Sequence, residues 1–230
     1  MTSYHIDPEK LPSILPIFPL TGTLLLPGGQ LPLNIFEPRY LAMVQDALQT
    51  QTRLIGMVQP RIPDEADNNG SAPADSSEEP ETYTIGCAGR IINFTETSDG
   101  RFLITLYGIT RYKILGEEAP RDGYRRVKPD YSGFARDQNE AETPLSINRS
   151  DFLEKLKKYF NSRQIEVDWA NIEKADLTRL VTSLAMSIPF SPAERQALLE
   201  ANSNEDRVDL LLAMMEMAGL SVGGQTEISH

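Results

Sequence analysis

Covalent chemistry needs a nucleophile beside a base, or a cluster of metal ligands, and this sequence offers few candidates. Its two histidines, His5 and His230, stand at opposite ends in segments that read as loose, and its one cysteine is Cys87. That placement predicts no Ser-His or Cys-His pair and no histidine-based metal site. Cys87 lies in the apolar alternation Ile85-Gly86-Cys87-Ala88, the setting of an inert core thiol. A single cysteine also excludes an internal disulfide framework and a multi-cysteine zinc site. Neither Gly-Lys-Ser nor Gly-Lys-Thr occurs, and the pairs Gly28-Gly29 and Gly223-Gly224 lack the strand, loop and lysine that cradle phosphate. The acidic pairs Glu78-Glu79 and Glu117-Glu118 read as solvated surface, and Asp176 as a helix-start charge favoured by the dipole. The expectation is no catalytic residue, no cofactor and no metal.

What remains suits binding. Asn34, Glu37, Arg39 and Tyr40 crowd a strand-to-helix turn in the run Leu33-Asn34-Ile35-Phe36-Glu37-Pro38-Arg39-Tyr40. One reading makes them contact a ligand. The other is structural: Asn34 and Glu37 accept the free N–H groups of the helix start, Arg39 pairs locally, and Tyr40 joins the core. Arg111, leaving a strand after Gly108, either pairs with Glu37 or faces a groove. Pro27-Gly28-Gly29-Gln30 forms a loop apex expected to expose backbone beside apolar Leu24, Leu25 and Leu26, which suits an extended peptide docking by strand addition. Seven methionines add adaptable apolar surface or simply fill core.

The elements that must position these residues follow from proline placement and periodicity. Prolines at 16, 19, 27, 32 and 38 forbid a helix through the first apolar run and leave strands at 14–20 and 31–36. A helix starts near Pro38, where proline gives up only an N–H that had no partner, with Tyr40, Leu41, Val44, Ala47 and Leu48 along one stripe. Strands follow at 53–60, 83–96 and 101–109, the last two joined by Ser98-Asp99-Gly100, and further strands at 111–115 and 124–129. Six or seven short strands with one inserted helix close most naturally as a small barrel or sandwich. Residues 134–145 read as a connector. Four apolar stripes beyond Asn148 then predict a helical bundle, one helix opened by the capping box Ser191-Pro192-Ala193-Glu194. The fold class is α+β, with a barrel over 12–133, a helical bundle over 145–218, an acidic mobile loop over 63–82 and a disordered tail over 221–230.

Charge narrows the partners. The net charge is −11, but residues 63–82 hold seven acids and no base, and the remainder carries 26 acids against 22 bases. A mildly acidic body argues against nucleic acid, whose binding needs clustered bases. The first seven residues have neither a basic nor an apolar segment of a secretory signal, and no apolar stretch nears the ~20 residues of a membrane span. A cytoplasmic location with no membrane partner is expected.

The order of residues 15–40, "LPIFPL…LLLPGG.LPLNIFEPRY", resembles the opening of the N-terminal substrate-binding domain of the ATP-dependent Lon proteases, and of small bacterial proteins made of that domain alone. Arg53-Leu54-Ile55-Gly56-Met57-Val58, Ile85-Gly86-Cys87-Ala88-Gly89-Arg90-Ile91 and Leu106-Tyr107-Gly108-Ile109-Thr110-Arg111-Tyr112 resemble later strands of that domain, over roughly residues 12–218. The resemblance implies a pseudo-barrel of the PUA type and a non-enzymatic role, since nothing here matches the Lon ATPase or Ser-Lys peptidase modules. It implies binding of exposed hydrophobic segments of unfolded or client proteins, with a protease or chaperone as a further partner. The alternatives are an RNA-binding PUA-like protein and an assembly scaffold acting through the bundle.

Overall fold

The computed structural model describes residues 4–61, 80–141 and 143–223. Most of the acidic loop and the last seven residues, with Glu78, Glu79 and His230, lie outside them. Six strands are present among the described residues: β1 (Leu15–Pro19), β2 (Gln30–Ile35), β3 (Leu54–Val58), β4 (Ile85–Glu96), β5 (Phe102–Arg121) and β6 (Tyr124–Asp130). Their hydrogen-bonded order is β2-β5-β4-β3-β1-β6, and β6 also pairs with β5. Five strands therefore close a circuit, and β2 lies outside it, paired with β5 alone. β1 runs parallel to β3, with Ile17 beside Gly56. The other pairings are antiparallel.

Closure gives the sheet an inside. One apolar cluster draws Leu15 and Ile17 from β1, Leu54 and Val58 from β3, Ala88 from β4, Ile109 and Tyr112 from β5, and Val127 from β6. Side chains supplied by every strand of a ring must fill its lumen. Alternation sends Ile55, Met57 and Cys87 to the opposite face, where they join a second cluster with helical residues. β3 is buried along its whole length because both of its faces are covered. Tyr112 spans the lumen and is fully buried. A Cβ on Gly56 or Gly86 would stand 2.5 Å from its hydroxyl oxygen, so glycine at both positions makes room for the ring.

The 20-residue β5 replaces the two separate strands expected at 101–109 and 111–115. Its first half pairs with β2 and its second with β6, and bulges bend it between the two. The turn to β4 is the expected one, with Gly100 at φ 81°. The turn to β6 is Asp122-Gly123, with φ 48° and 81°, the left-handed pair that a two-residue hairpin requires.

Helix α1 (Pro38–Gln49) buries Tyr40, Met43, Val44 and Ala47. A 3₁₀ turn (Ser132–Phe134) leads into the segment expected to be a bare connector, which holds the short α2 (Asp137–Glu140). Beyond it stand five helices, not four: α3 (Arg149–Ser162), α4 (Trp169–Lys174), α5 (Leu177–Ser187), α6 (Pro192–Glu200) and α7 (Asn204–Gly223). The unexpected α4 is short and buries none of its side chains fully, so it leaves no stripe to read. Asp176 and Ser191 cap α5 and α6, the latter in a complete capping box. The larger apolar cluster runs from barrel residues Phe18, Cys87 and Ile91 through Phe152, Leu156, Leu198 and Leu211 of the helices.

Arginines finish the helix C-termini, whose last carbonyls have no partner within the helix. Buried Arg195 donates to the carbonyls of Met186 in the last turn of α5 and of Ile188 and Phe190 just after it. Burial holds its guanidinium pKa below the ordinary value. Arg207 reaches Leu198 of α6, and Arg149 the carbonyls of Ile172, Glu173 and Ala175 at the end of α4.

Candidate functional site

Cys87 is 1% exposed. Burial, and next the Asp137 carboxylate, push its thiol far above the ordinary range, so it is not a thiolate near neutrality. Among the described residues no group of three or more His, Cys, Asp or Glu side chains could hold a metal ion. Glu117 and Glu118 pair instead with Arg125 and Lys128 across the β5–β6 hairpin.

Arg111 neither meets Glu37 nor faces a groove. It is buried, its Nη2 donates to Asp137 Oδ1 at 2.7 Å, and its backbone N–H donates to Asp137 Oδ2 at the same distance. Nη1 donates to the carbonyls of Leu199 (3.1 Å) and Ala201 (2.6 Å), and the guanidinium lies 4.8 Å from the Phe134 ring centre. One side chain thus joins a barrel strand, the α2 segment and the end of α6. Its role is structural.

The Pro27-Gly28-Gly29 loop is also turned inward, contrary to the expected exposure. Leu24, Leu25 and Leu26 are core residues, and Pro27 and Gly29 are buried. Gly28 N–H donates to the Gly108 carbonyl, Gly108 N–H to Gly29, and Gly29 N–H to Leu26. A Cβ on Gly108 would stand 2.0 Å from the Leu26 carbonyl oxygen, and one on Gly29 would strike Met186 of α5. These three backbone bonds tie the loop into the fold instead of leaving it as an open apex.

The strand-to-helix turn divides. Tyr40 is core, its ring centre 4.2 Å from that of Phe18 and 4.7 Å from the Arg39 guanidinium. Glu37 occupies the N-cap, but its carboxylate makes no cap bond and accepts from Arg39 Nε at 3.1 Å. Tyr40 and Leu41 N–H groups donate to the Glu37 carbonyl instead. The expected capping by Asn34 and Glu37 side chains is therefore replaced by backbone bonds and a half-exposed ion pair, an interaction of small net strength. Asn34 is exposed on β2, opposite Leu103 of β5, which in turn lies opposite Thr95 of β4.

Here the structure adds what the sequence reading missed. Leu103 is 46% exposed, and Phe36, two residues beyond Asn34, is 64% exposed. Both were hidden in alternating patterns that look like ordinary strand. The signal was parity: with Phe102 and Ile104 buried, Leu103 must point outward. Asn34 and Leu103, paired across β2 and β5, are thus exposed together, and Phe36 stands exposed just beyond the end of β2.

Residues 14–217 match the family described as the ATP-dependent protease La (LON) substrate-binding domain. Lon protease 2 of Myxococcus xanthus is 26% identical over 217 residues, covering 91% of this chain and 24% of that protein. The Lon protease of Escherichia coli K12 is 21% identical over 217 residues, covering 92% and 26%. The chain spans about a quarter of the length of these curated relatives. Among solved structures, a Lon N-terminal domain protein from Xanthomonas campestris superposes with a TM-score of 0.56 at 22% identity, covering 87% of this chain and 97% of the other. The N-terminal domain of a Mycobacterium avium complex Lon protease gives 0.55 at 14% identity, covering 88% and 98%. These likenesses show a shared fold.

Proposed function

The chain belongs to the Lon substrate-binding domain family, and from that premise we propose that it is a recognition module that holds exposed hydrophobic segments of client proteins without transforming them. The match to the Lon relatives covers only their substrate-binding portion, which supports a role in recognition rather than catalysis. We read the ring as a PUA-type pseudo-barrel over 12–133 and the helices of 145–218 as its companion bundle. No helix among the described residues is long and apolar enough to cross a membrane. The reading places the protein in the cytoplasm, with a protease or chaperone as a further partner.

One observation carries the hydrophobic preference: Leu103 stands exposed opposite Asn34, and Phe36 stands exposed two residues further on, just before Glu37. Apolar side chains this open near an ion pair form the apolar centre and polar rim of an interaction surface. The acids that pair with Arg121, Arg125 and Lys128 leave no basic stripe on the β5–β6 hairpin, which favours protein over RNA.

Binding of fluorescent unfolded casein tests the proposal. Phe36→Ser and Leu103→Ser should each weaken binding about tenfold, the effect of leaving one large apolar side chain's contact unmade, with unchanged circular dichroism. Undiminished binding by both variants would remove this surface, and turnover of casein with or without ATP would remove the non-catalytic reading.

A further inference from the structure

The segment before β1 is not loose. Residues 4–11 lie as a strap against the barrel, with Ile6 as its one fully buried side chain and Tyr4 and Leu11 packed partly buried against the same cluster. Ile6 is 5% exposed and packs with the lumen cluster, whereas His5 and residues 7–10 are exposed. Gln138 of α2 grips the same residue by its backbone: Oε1 accepts from Ile6 N–H at 2.8 Å, and Nε2 donates to the Ile6 carbonyl at 2.9 Å. Two residues earlier, the Tyr4 ring lies 5.0 Å from that of Tyr107 on β5. A small cavity remains beside these groups, lined by Tyr4, His5, Tyr107, Gly108, Gln138 and Ala141.

This is how a protein reads an extended peptide. A side-chain amide that satisfies both the N–H and the C=O of one residue imitates a neighbouring strand, and any extended chain offers the same pair of groups. Specificity then comes from the slot that takes the Ile6 side chain and from the aromatic contact two residues before it. A terminal segment with one fully buried anchor, two partly buried ones and exposed residues between them opens at lower cost than the strands it rests on. We infer that the strap is an intramolecular occupant of a peptide-binding slot, and that the slot takes, in trans, an extended segment of another protein carrying an aliphatic residue with an aromatic two positions before it. A tethered occupant competes at high effective concentration, so loosening it must raise affinity for the outside peptide. This site is separate from the surface around Phe36, and dependence on Gln138 in the titration below tells the two apart.

The probe is a fluorescein-labelled peptide with the sequence of residues 2–12, titrated into the full chain and read by anisotropy. Weak binding to the parent chain should tighten about tenfold in Ile6→Ser. It should be lost when Gln138→Leu is added, and lost for a peptide whose own isoleucine is replaced by serine. If Ile6→Ser loses its fold by circular dichroism, Tyr4→Ala removes only the ring contact and should still tighten binding about threefold, a smaller release of the same tether. Equal affinity for parent and loosened chains, or binding indifferent to Gln138, would overturn the inference. So would a dimer of the parent chain that disappears in Ile6→Ser, since the slot would then serve strap exchange between copies.

Discussion

Arg111 and Asp137 form an ion pair in the interior, 5% and 3% exposed, with the guanidinium Nη2 2.7 Å from the carboxylate. Every strong group of the pair has further work, because Asp137 also accepts the Arg111 backbone N–H and Arg111 also serves two carbonyls at the end of α6. Buried charges arranged in this way are expensive to break singly, since the survivor is left without compensation.

Arg111→Met or Asp137→Asn should therefore each lower the unfolding free energy by about 3–5 kcal/mol. The double variant Arg111→Met/Asp137→Leu should lose less than the sum. Arg111→Lys should not rescue, because an ammonium cannot serve a carboxylate and two carbonyls in the planar fork that guanidinium offers. Urea denaturation measures all four. A single-variant loss below about 1 kcal/mol would show that solvent reaches the pair.

The lumen gives a second prediction. Gly86→Ala would place a methyl 2.5 Å from the Tyr112 hydroxyl oxygen and equally near the Met57 carbonyl oxygen. Overpacking of that kind costs about 1–3 kcal/mol. Gly116→Ala, on the same sheet but with nothing within 4 Å of the added carbon, should change stability by no more than about 0.5 kcal/mol. Equal melting temperatures for the two variants would mean that Tyr112 moves freely.

Alkaline pH supplies a third. Tyr124 is buried and its hydroxyl donates to Asp46 Oδ2 at 2.6 Å. Burial first, and then that bond, raise its pKa to about 12, against an unfolded value of about 10. A raised value favours the protonated form in the folded chain. Its contribution is complete below pH 10 and is lost as pH rises through about 12. Stability should fall over that window, and Tyr124→Phe should make the fall shallower. An unchanged slope in denaturation midpoints between pH 10 and 12 would count against it.

Much of this molecule could be read in its residues, and the failures share a cause. Pro38, Gly100 and Ser191 act locally, through a fixed φ, a positive φ and a cap, and each was legible where it stands. Asp122-Gly123 is equally local and equally readable as a two-residue hairpin turn, and reading it so would have joined β5 to β6. Arg111 was different. Its partner is twenty-six residues away and lies in a polar stretch, and nothing in either neighbourhood announces the pairing. The glycine loop misled for a related reason: backbone groups look free in sequence, and only Gly108, from another strand, shows that they are taken. Ile6 stands alone among polar neighbours, so no periodicity marks it as an anchor.

The closing of the ring bears on the order of assembly. Leu15 pairs with Val127, and Pro16 with Arg126, so the first strand, flanked by β3 on one side, finds its other flank only after nearly the whole barrel sequence has been made. The β4–β5 and β5–β6 hairpins are neighbours in the chain and can form early, whereas β1 must wait with its apolar face uncovered. On a ribosome, that wait exposes the run from Leu15 to Leu26 to the cell before Tyr124 has emerged. During its own synthesis the chain would for a time present an apolar segment of the kind proposed above as its ligand.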